Sequence, residues 1–318
     1  MSHATGIAEM LRAEQSRLVA EFERYDQDGR FRVREWNRSG LGGGRACVLE
    51  RGRIFERAGV NVSLVHGDRV PPTIADTVPG TDGRPFTATG ISMVLHPLNP
   101  YAPSFHANFR FFGVTDGGAE ERWFGGGCDL TPAYGFEADA VHFHTTLKAW
   151  CDRHPPSRYA EWKAACDDYF TISHRGEMRG IGGVFFDHLS EQGPAGFDRC
   201  LALVEDGLAT ILPAYLPILD RRCPMPYGER QRAWQLRRRG RYAEFNLVYD
   251  RGTRRWSEVL SETVRSSHAI RDSGTVAPSP LAASIVVQQQ YRGGKRDLVD
   301  RSERILRLLG EDSDQPER

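Results

Sequence analysis

The fold depends on residues 92–112, which read S-M-V-L-H-P-L-N-P-Y-A-P-S-F-H-A-N-F-R-F-F. The stretch starts as an apolar strand and breaks at His96. It then passes through a proline-rich loop and resumes as a strand at His106. Proline cannot donate to a sheet ladder, so the prolines confine the connection to a rigid loop. We therefore predict two strands joined by a fixed loop.

The second strand has one apolar face and one polar face, because side chains of a strand alternate with period two. The apolar face has Ala107, Phe109 and Phe111. The polar face has His106, Asn108 and Arg110. An acid/base group, an amide and a fixed cation in a row suit an anionic ligand that also exchanges a proton. For His106 we therefore favour a functional role over a structural one.

Composition and charge argue against two classes of protein. The 318 residues have a formal net charge of zero, whereas binding to nucleic-acid phosphates needs a basic surface, so we expect no nucleic-acid partner. No apolar run reaches the roughly 18 residues of a membrane span, and Met1–Arg12 lacks the apolar core of a signal peptide. We expect a cytoplasmic protein whose scattered cysteines are reduced thiols.

The order of elements favours an α+β protein with a large, mainly antiparallel sheet. The spacing of apolar residues predicts helices over 5–24, 136–153, 158–170, 197–215 and, with a basic surface, 227–239. Alternating or apolar runs predict strands over 31–37, 46–50, 53–56, 60–66, 86–96, 106–115, 123–127, 180–187 and 241–249. Strands that follow each other through short turns favour antiparallel pairing over a doubly wound parallel sheet.

The glycine-rich segment 40–45 is not a nucleotide-binding motif. Arg45 stands where a dinucleotide fingerprint needs its third glycine, and a P-loop would need Lys-Ser or Lys-Thr. Two interpretations remain, a plain hairpin turn or a permissive turn whose Arg45 faces a ligand.

Histidines cluster in the middle of the chain and suggest a metal site. His142 and His144 are two residues apart on a predicted helix, so they point in different directions and cannot chelate one ion together. No H-E-x-x-H motif is present. His144 falls on the apolar stripe of its helix and is expected to be buried, and we favour structural roles for every histidine except His106.

Asp129 follows three glycines and allows two interpretations. It could cap the helix predicted over 136–153, although the gap is long for a cap. It could instead end a glycine strand, where its carboxylate would hold N–H groups of a ligand or stabilise positive charge. Because no nucleotide, flavin or haem motif is present, the chemistry must depend on side chains and a reactive substrate, or on a metal.

These stretches resemble the oxygen-dependent coproporphyrinogen III oxidases of haem biosynthesis. The resemblance runs almost continuously from about residue 30 to residue 253. Its most specific segments are 42–45, 58–61, 96–112, 123–132, 139–144, 162–179, 180–187 and 239–253.

The resemblance implies an oxidoreductase that decarboxylates two propionates of coproporphyrinogen III to vinyl groups, giving protoporphyrinogen IX. It implies O2 as co-substrate, CO2 and hydrogen peroxide as products, and no organic cofactor, and it leaves a divalent metal open. It also implies a homodimer with a flat, largely antiparallel sheet sandwiched between helices.

The resemblance also implies roles for individual residues. His106 matches the proton donor of the family, and Asp129 matches an acid thought to hold the pyrrole N–H groups. The residues that match substrate contacts are Ser92, Asn108 and Arg110. The histidines that match possible metal ligands are His96, His106, His144 and His174.

The resemblance stops after Thr253. The family's Phe-Gly-Leu segment, Gly-Gly-Arg substrate loop and following strand do not appear in 254–318. We expect 1–253 to form a single domain, incomplete at its C-terminal end, and 254–318 to be an atypical and partly disordered tail. A break inside a motif suggests a reading-frame change in the source gene or a replaced tail.

Two other functions stay open at this point. One is a non-catalytic, tetrapyrrole-binding relative that keeps Arg110 and Asp129 but cannot close the site. The other is an unrelated metal-dependent oxygenase that uses the histidine cluster.

Overall fold

A seven-stranded antiparallel sheet forms the centre of the protein, as predicted. The computed structural model describes residues 3–114 and 121–250. Its strands are β1 (Arg32–Arg38), β2 (Gly42–Glu50), β3 (Phe55–Gly67), β4 (Phe86–Pro97), β5 (Ser104–Val114), β6 (Glu121–Thr131), β7 (Thr171–Ile172), β8 (Glu177–Met178) and β9 (Gly182–Leu189). The large sheet has the order β1-β2-β3-β4-β5-β6-β9, and β7 pairs with β8 in a small hairpin.

Helices lie on both faces of the sheet, which confirms the α+β prediction. They are α1 (His3–Asp26), α2 (Pro72–Ala75), α3 (Glu137–Asp152), α4 (Tyr159–Tyr169), α5 (Gly193–Arg222) and α6 (Glu229–Val248), with a 3-10 turn at Ser173–Arg175. The predicted tail, 254–318, lies outside the described residues.

Two strands that were predicted separately form one continuous strand in the structure. The segments 53–56 and 60–66 were predicted separately, but β3 is continuous from Phe55 to Gly67. Gly59 does not interrupt it, because this residue pairs with Val48 on β2 and with Val94 on β4. Pairing with a strand on each side therefore keeps β3 continuous at a glycine, a residue that locally favours a break.

The predicted strand 241–249 is wrong, because residues 241–248 continue α6 and Tyr249 is its C-cap. Tyr242, Phe245 and Tyr249 are spaced by three and four residues, so they also fit one face of a helix. Phe245 is fully buried and packs with Cys166, Phe170 and Ile172. Tertiary packing therefore decides between two periods that the same residues satisfy.

The apolar face of the sheet packs against α1, α3 and α5. Phe109 on β5 contacts Trp150 of α3, with ring centroids 6.0 Å apart. Phe105 stacks on Tyr215 of α5 at 4.9 Å, and the Tyr215 hydroxyl donates to the Pro103 carbonyl at 2.8 Å. This last bond fixes the proline-rich loop between β4 and β5 from the core side.

Helix α5 is long and apolar enough to cross a membrane by length and composition alone. Its apolar stripe, however, belongs to the main core, where Leu208, Ala214 and Ile218 are fully buried. Burial of this kind is typical of the core helix of a globular domain, so α5 gives no clear membrane span.

The buried carboxylate of Asp26 closes the connection between β2 and β3. It accepts backbone N–H bonds from Gly29 at 2.6 Å, Arg53 at 2.9 Å, Ile54 at 2.9 Å and Phe55 at 2.8 Å. An ionised carboxylate is the side chain that accepts several such bonds without donating any.

We expect Asp26→Asn to lower the free energy of unfolding by about 2–3 kcal/mol. One side of the asparagine amide would face N–H groups with its own donors, and bonds to a charged acceptor contribute about 1.5–3 kcal/mol each. Urea unfolding measures the difference, with exposed Asp28→Asn as the matched control. Equal unfolding midpoints for the two variants would contradict the anchoring role.

Candidate active site

The polar row predicted for β5 lies on the sheet face opposite the core. Residues directly opposite each other in neighbouring strands share a face. Asn108 lies opposite Ser92 on β4, and His106 lies opposite Asp129 on β6. Arg110 follows Asn108 by two positions on β5 and therefore lies on the same face. The structure thus brings five predicted site residues to one surface: Ser92, His106, Asn108, Arg110 and Asp129.

His106, Asp129 and Arg179 form a bonded relay on this surface. His106 Nδ1 lies 2.8 Å from Asp129 Oδ1, and Arg179 Nη2 donates to Asp129 Oδ2 at 2.6 Å. The Asp129 and Arg179 side chains are each only 2% exposed, whereas His106 is 24% exposed. The imidazole is therefore the most exposed member of the three.

Sequence reasoning missed Arg179. It lies between the short strand β8 and β9, in a turn that no periodicity marks as special. Three rings surround its guanidinium, which lies 3.8 Å from the Phe170 centroid, 4.3 Å from Tyr242 and 4.9 Å from Phe245. Two of these rings belong to α6, which sequence analysis predicted to be a strand at that point.

The relay keeps Asp129 ionised. Burial alone would raise the pKa of its carboxyl, but the Arg179 cation and the His106 hydrogen bond outweigh burial and hold the pKa below its ordinary value. A buried carboxylate next to Nδ1 favours the tautomer with the proton on Nδ1. The Nε2 atom of His106 is then the position for proton exchange with a ligand.

Arg110 is paired with Asp187 across β6. The Arg110 Nη2 to Asp187 Oδ2 distance is 2.7 Å. Gly125 lies opposite Arg110, and a Cβ there would lie 2.8 Å from both Arg110 Nε and Asp187 Oδ1. This glycine therefore leaves the space in which the ion pair forms.

The structure does not place Arg45 with this group. It lies opposite Val62, which lies opposite Ile91 of the apolar face. Its guanidinium donates to Gln15 Oε1 at 2.6 Å and to the Arg12 carbonyl at 2.7 Å, both on α1. Arg45 holds a helix against the sheet, and segment 40–45 contains the hairpin turn between β1 and β2.

The N-cap interpretation of Asp129 is wrong. This residue lies inside β6, and the N-cap of α3 is Phe136. His144, predicted to be buried, is partly buried and bonded to the Tyr159 hydroxyl and the Ile181 carbonyl, both at 3.0 Å.

The histidines do not fit the metal site that the family resemblance implied. His96 Nδ1 is bonded to Ser104 at 2.8 Å, and His174 Nε2 lies 2.6 Å from Glu244. Within 3–114 and 121–250, no group of three or more histidine, cysteine, aspartate or glutamate side chains could hold an ion. Each predicted ligand here has its own partner, so no step of the reaction is assigned to a metal.

Burial of His96 predicts a loss of stability in mild acid. Burial, with the Arg239 cation, lowers the pKa of His96 from 6.5 to about 3. Between these two pH values the unfolded chain binds a proton that the folded protein does not. The stability present above pH 6.5 is therefore lost as the pH falls, by about 1.4 kcal/mol per pH unit.

His96→Gln removes this proton, so we expect its unfolding free energy to fall less steeply between about pH 6 and pH 5. Urea unfolding of both proteins across that range measures the two slopes. His144, whose pKa burial also lowers, is common to both proteins and cancels. Parallel slopes would contradict the prediction, because they would mean that His96 binds its proton as readily in the folded protein as in the unfolded chain.

A His–Asp–Arg relay beside an arginine on one polar sheet face is typical of an enzyme that moves protons on an anionic substrate. Comparison with known sequences makes the class specific. The sequence model described as Coproporphyrinogen III oxidase matches residues 6–259, most of the chain. The chain belongs to the coproporphyrinogen III oxidase family.

Individual relatives agree with this assignment. The oxygen-dependent coproporphyrinogen-III oxidase of Coxiella burnetii (strain RSA 331 / Henzerling II) is 49% identical over 251 residues, which are 79% of this chain and 80% of the relative. The mitochondrial oxygen-dependent coproporphyrinogen-III oxidase of Rattus norvegicus is 46% identical over 253 residues, 77% of this chain and 56% of the relative.

Proposed function

We propose that this protein oxidises coproporphyrinogen III with O2 and converts two of its propionates to vinyl groups. For each propionate, –CH2–CH2–COOH and O2 become –CH=CH2, CO2 and H2O2. The side chain loses two electrons, and O2 accepts them. Family membership supports the reaction, and the observation that supports it best in the structure is the His106–Asp129 bond beside Arg110 on one sheet face.

Arg110 is proposed to bind a propionate carboxylate. A guanidinium has five N–H donors, so the bond to Asp187 does not use its full capacity. A carboxylate and an arginine can form two parallel charge-assisted bonds. Because Asp187 competes for the same cation, substrate binding is expected to loosen this ion pair.

His106 is proposed to exchange the proton through Nε2, with its ring oriented by Asp129. Both oxygens of Asp129 have a partner in the described structure. A carboxylate has about four acceptor positions, so contact with a pyrrole N–H is compatible with these bonds. We propose that Asp129 mainly orients His106. We also propose that its negative charge stabilises the positive charge that develops on the electron-rich ring.

Orientation is the main contribution that we propose for the protein, because the porphyrinogen itself supplies the electrons. Holding a propionate at Arg110 fixes that side chain relative to His106, which lies four residues away along β5 on the same strand face. We further propose a cytoplasmic homodimer, on the basis of the family resemblance and composition. Size-exclusion chromatography and cell fractionation test these two points.

The deciding experiment is an assay of the full chain with coproporphyrinogen III, with and without O2. We expect two CO2 and two H2O2 per porphyrinogen, and no CO2 under anaerobic conditions. Binding of the porphyrinogen without release of CO2 in air would favour the non-catalytic relative. Loss of activity on chelation, restored by metal, would favour a metal-dependent oxygenase.

A further inference from the structure

A buried amide on β3 has no hydrogen-bond partner among the described residues. Asn61 is fully buried, and neither its Nδ2 nor its Oδ1 is paired within the described part of the chain. A buried polar group without a partner costs about 1–3 kcal/mol of stability. Asn99, by contrast, donates to the Cys223 and Met225 carbonyls and accepts from the Tyr101 N–H.

Asn61 lies on the same face as the candidate active site. It lies opposite Ser92 on β4, which in turn lies opposite Asn108 on β5. These three residues form a polar row across neighbouring strands, about 10 Å wide at a strand spacing of about 4.8 Å. The Oδ1 of Asn108 is also buried and unpaired within the described residues.

The surroundings of Asn61 on this face are small side chains. Ala46 lies opposite it on β2, and Gly59 and Ser63 are its neighbours two positions away on β3. Within the described residues, none of these small side chains donates to the Asn61 amide or accepts from it. Unpaired hydrogen-bonding groups at Asn61 and Asn108, in one row with Ser92, suit a ligand that has several polar substituents.

We propose that Asn61 is a substrate-binding residue whose Nδ2 donates a hydrogen bond to a carboxylate of the tetrapyrrole. The inference rests on the proposed function and extends its binding site from β4–β6 to β3. Arg110 holds one carboxylate as a cation, whereas Asn61 holds another as a neutral donor. Because an amide moves no proton near neutral pH, Asn61 affects binding and does not take part in proton transfer.

The test compares Asn61→Leu and Asn61→Asp with wild type in steady-state turnover of coproporphyrinogen III. Loss of a donor to a charged group weakens binding by about 1.5–3 kcal/mol, so KM should rise roughly ten- to hundredfold. Asn61→Asp adds a negative charge and should raise KM at least as much. In both variants kcat should stay within about threefold of wild type.

Thermal unfolding separates a ligand contact from a purely structural residue. Asn61→Leu removes an unpaired polar group and should raise Tm, whereas Asn99→Leu, the matched control at a paired amide, should lower it. A higher Tm with a higher KM is the expected result for Asn61→Leu. Unchanged KM in both Asn61 variants overturns the proposal, whatever happens to Tm.

The wild-type protein, measured in the same assay, distinguishes a failure of this inference from a failure of the proposed function. Wild-type turnover with unchanged KM in the variants overturns only the role of Asn61. If wild type neither binds coproporphyrinogen III anaerobically nor releases CO2 in air, the proposed function fails, and the role of Asn61 fails with it.

Discussion

Asp129→Asn is expected to lower kcat for coproporphyrinogen III by about 10²- to 10⁴-fold. The asparagine oxygen would turn toward Arg179, which is its stronger donor. The amide nitrogen would then face His106 Nδ1, so that Nδ1 must accept and Nε2 must carry the proton. The imidazole would be held in the wrong tautomer, and the site would lose its buried negative charge.

The chain contains a matched control for this variant. Asp206 also bonds one histidine and one arginine, with His154 Nε2 at 2.7 Å and Arg153 Nε at 2.9 Å. This second His–Asp–Arg group joins α3 and α5 away from the polar face. Asp206→Asn should therefore keep wild-type kcat, and equal kcat values for Asp129→Asn and wild type would exclude Asp129 from catalysis.

Substrate affinity distinguishes a catalytic effect from misfolding. Asp129→Asn should bind coproporphyrinogen III anaerobically with a Kd close to that of wild type, because Arg110 and Ser92 are unchanged. Near-UV circular dichroism should also match. Loss of binding together with loss of turnover would indicate a collapsed site instead of a displaced proton.

Strand periodicity predicted the part of the site that lies on one strand. Alternation along β5 separates His106, Asn108 and Arg110 from the phenylalanines between them, and the sheet preserves this separation. The antiparallel sheet followed from short turns between strands. The prediction agrees with the structure here because the residues of β5 alone determine which of its faces is apolar and which is polar.

Long-range contacts are the part that sequence could not supply. The Arg179–Asp129 bond joins residues 50 positions apart, and it depends on the turn before β9 and on the aromatic side chains of α6. The predicted histidine cluster shows the opposite error, because histidines that are close along the chain need not lie close together in the fold. His96, His144 and His174 belong to three different local networks.

Arg179→Met is expected to lower the free energy of unfolding by about 3–5 kcal/mol. Methionine can fill the space between Phe170 and Tyr242, but it leaves the Asp129 carboxylate buried without its main counter-charge. The cost is therefore mostly that of an unpaired buried charge. Urea unfolding at pH 7 measures it, and Arg153→Met, which breaks the ion pair of a 52% exposed arginine, should cost only about 0–1 kcal/mol.

The double variant Asp129→Asn/Arg179→Met shows whether charge pairing is the cause. If the cost of Arg179→Met comes from stranding the Asp129 charge, removing that charge should return part of the lost stability. The double variant should then be more stable than the sum of the two single changes predicts, by about 1–3 kcal/mol. Strict additivity would mean that Arg179 stabilises the fold through its packing against the aromatic rings, and that the relay is not an energetic unit.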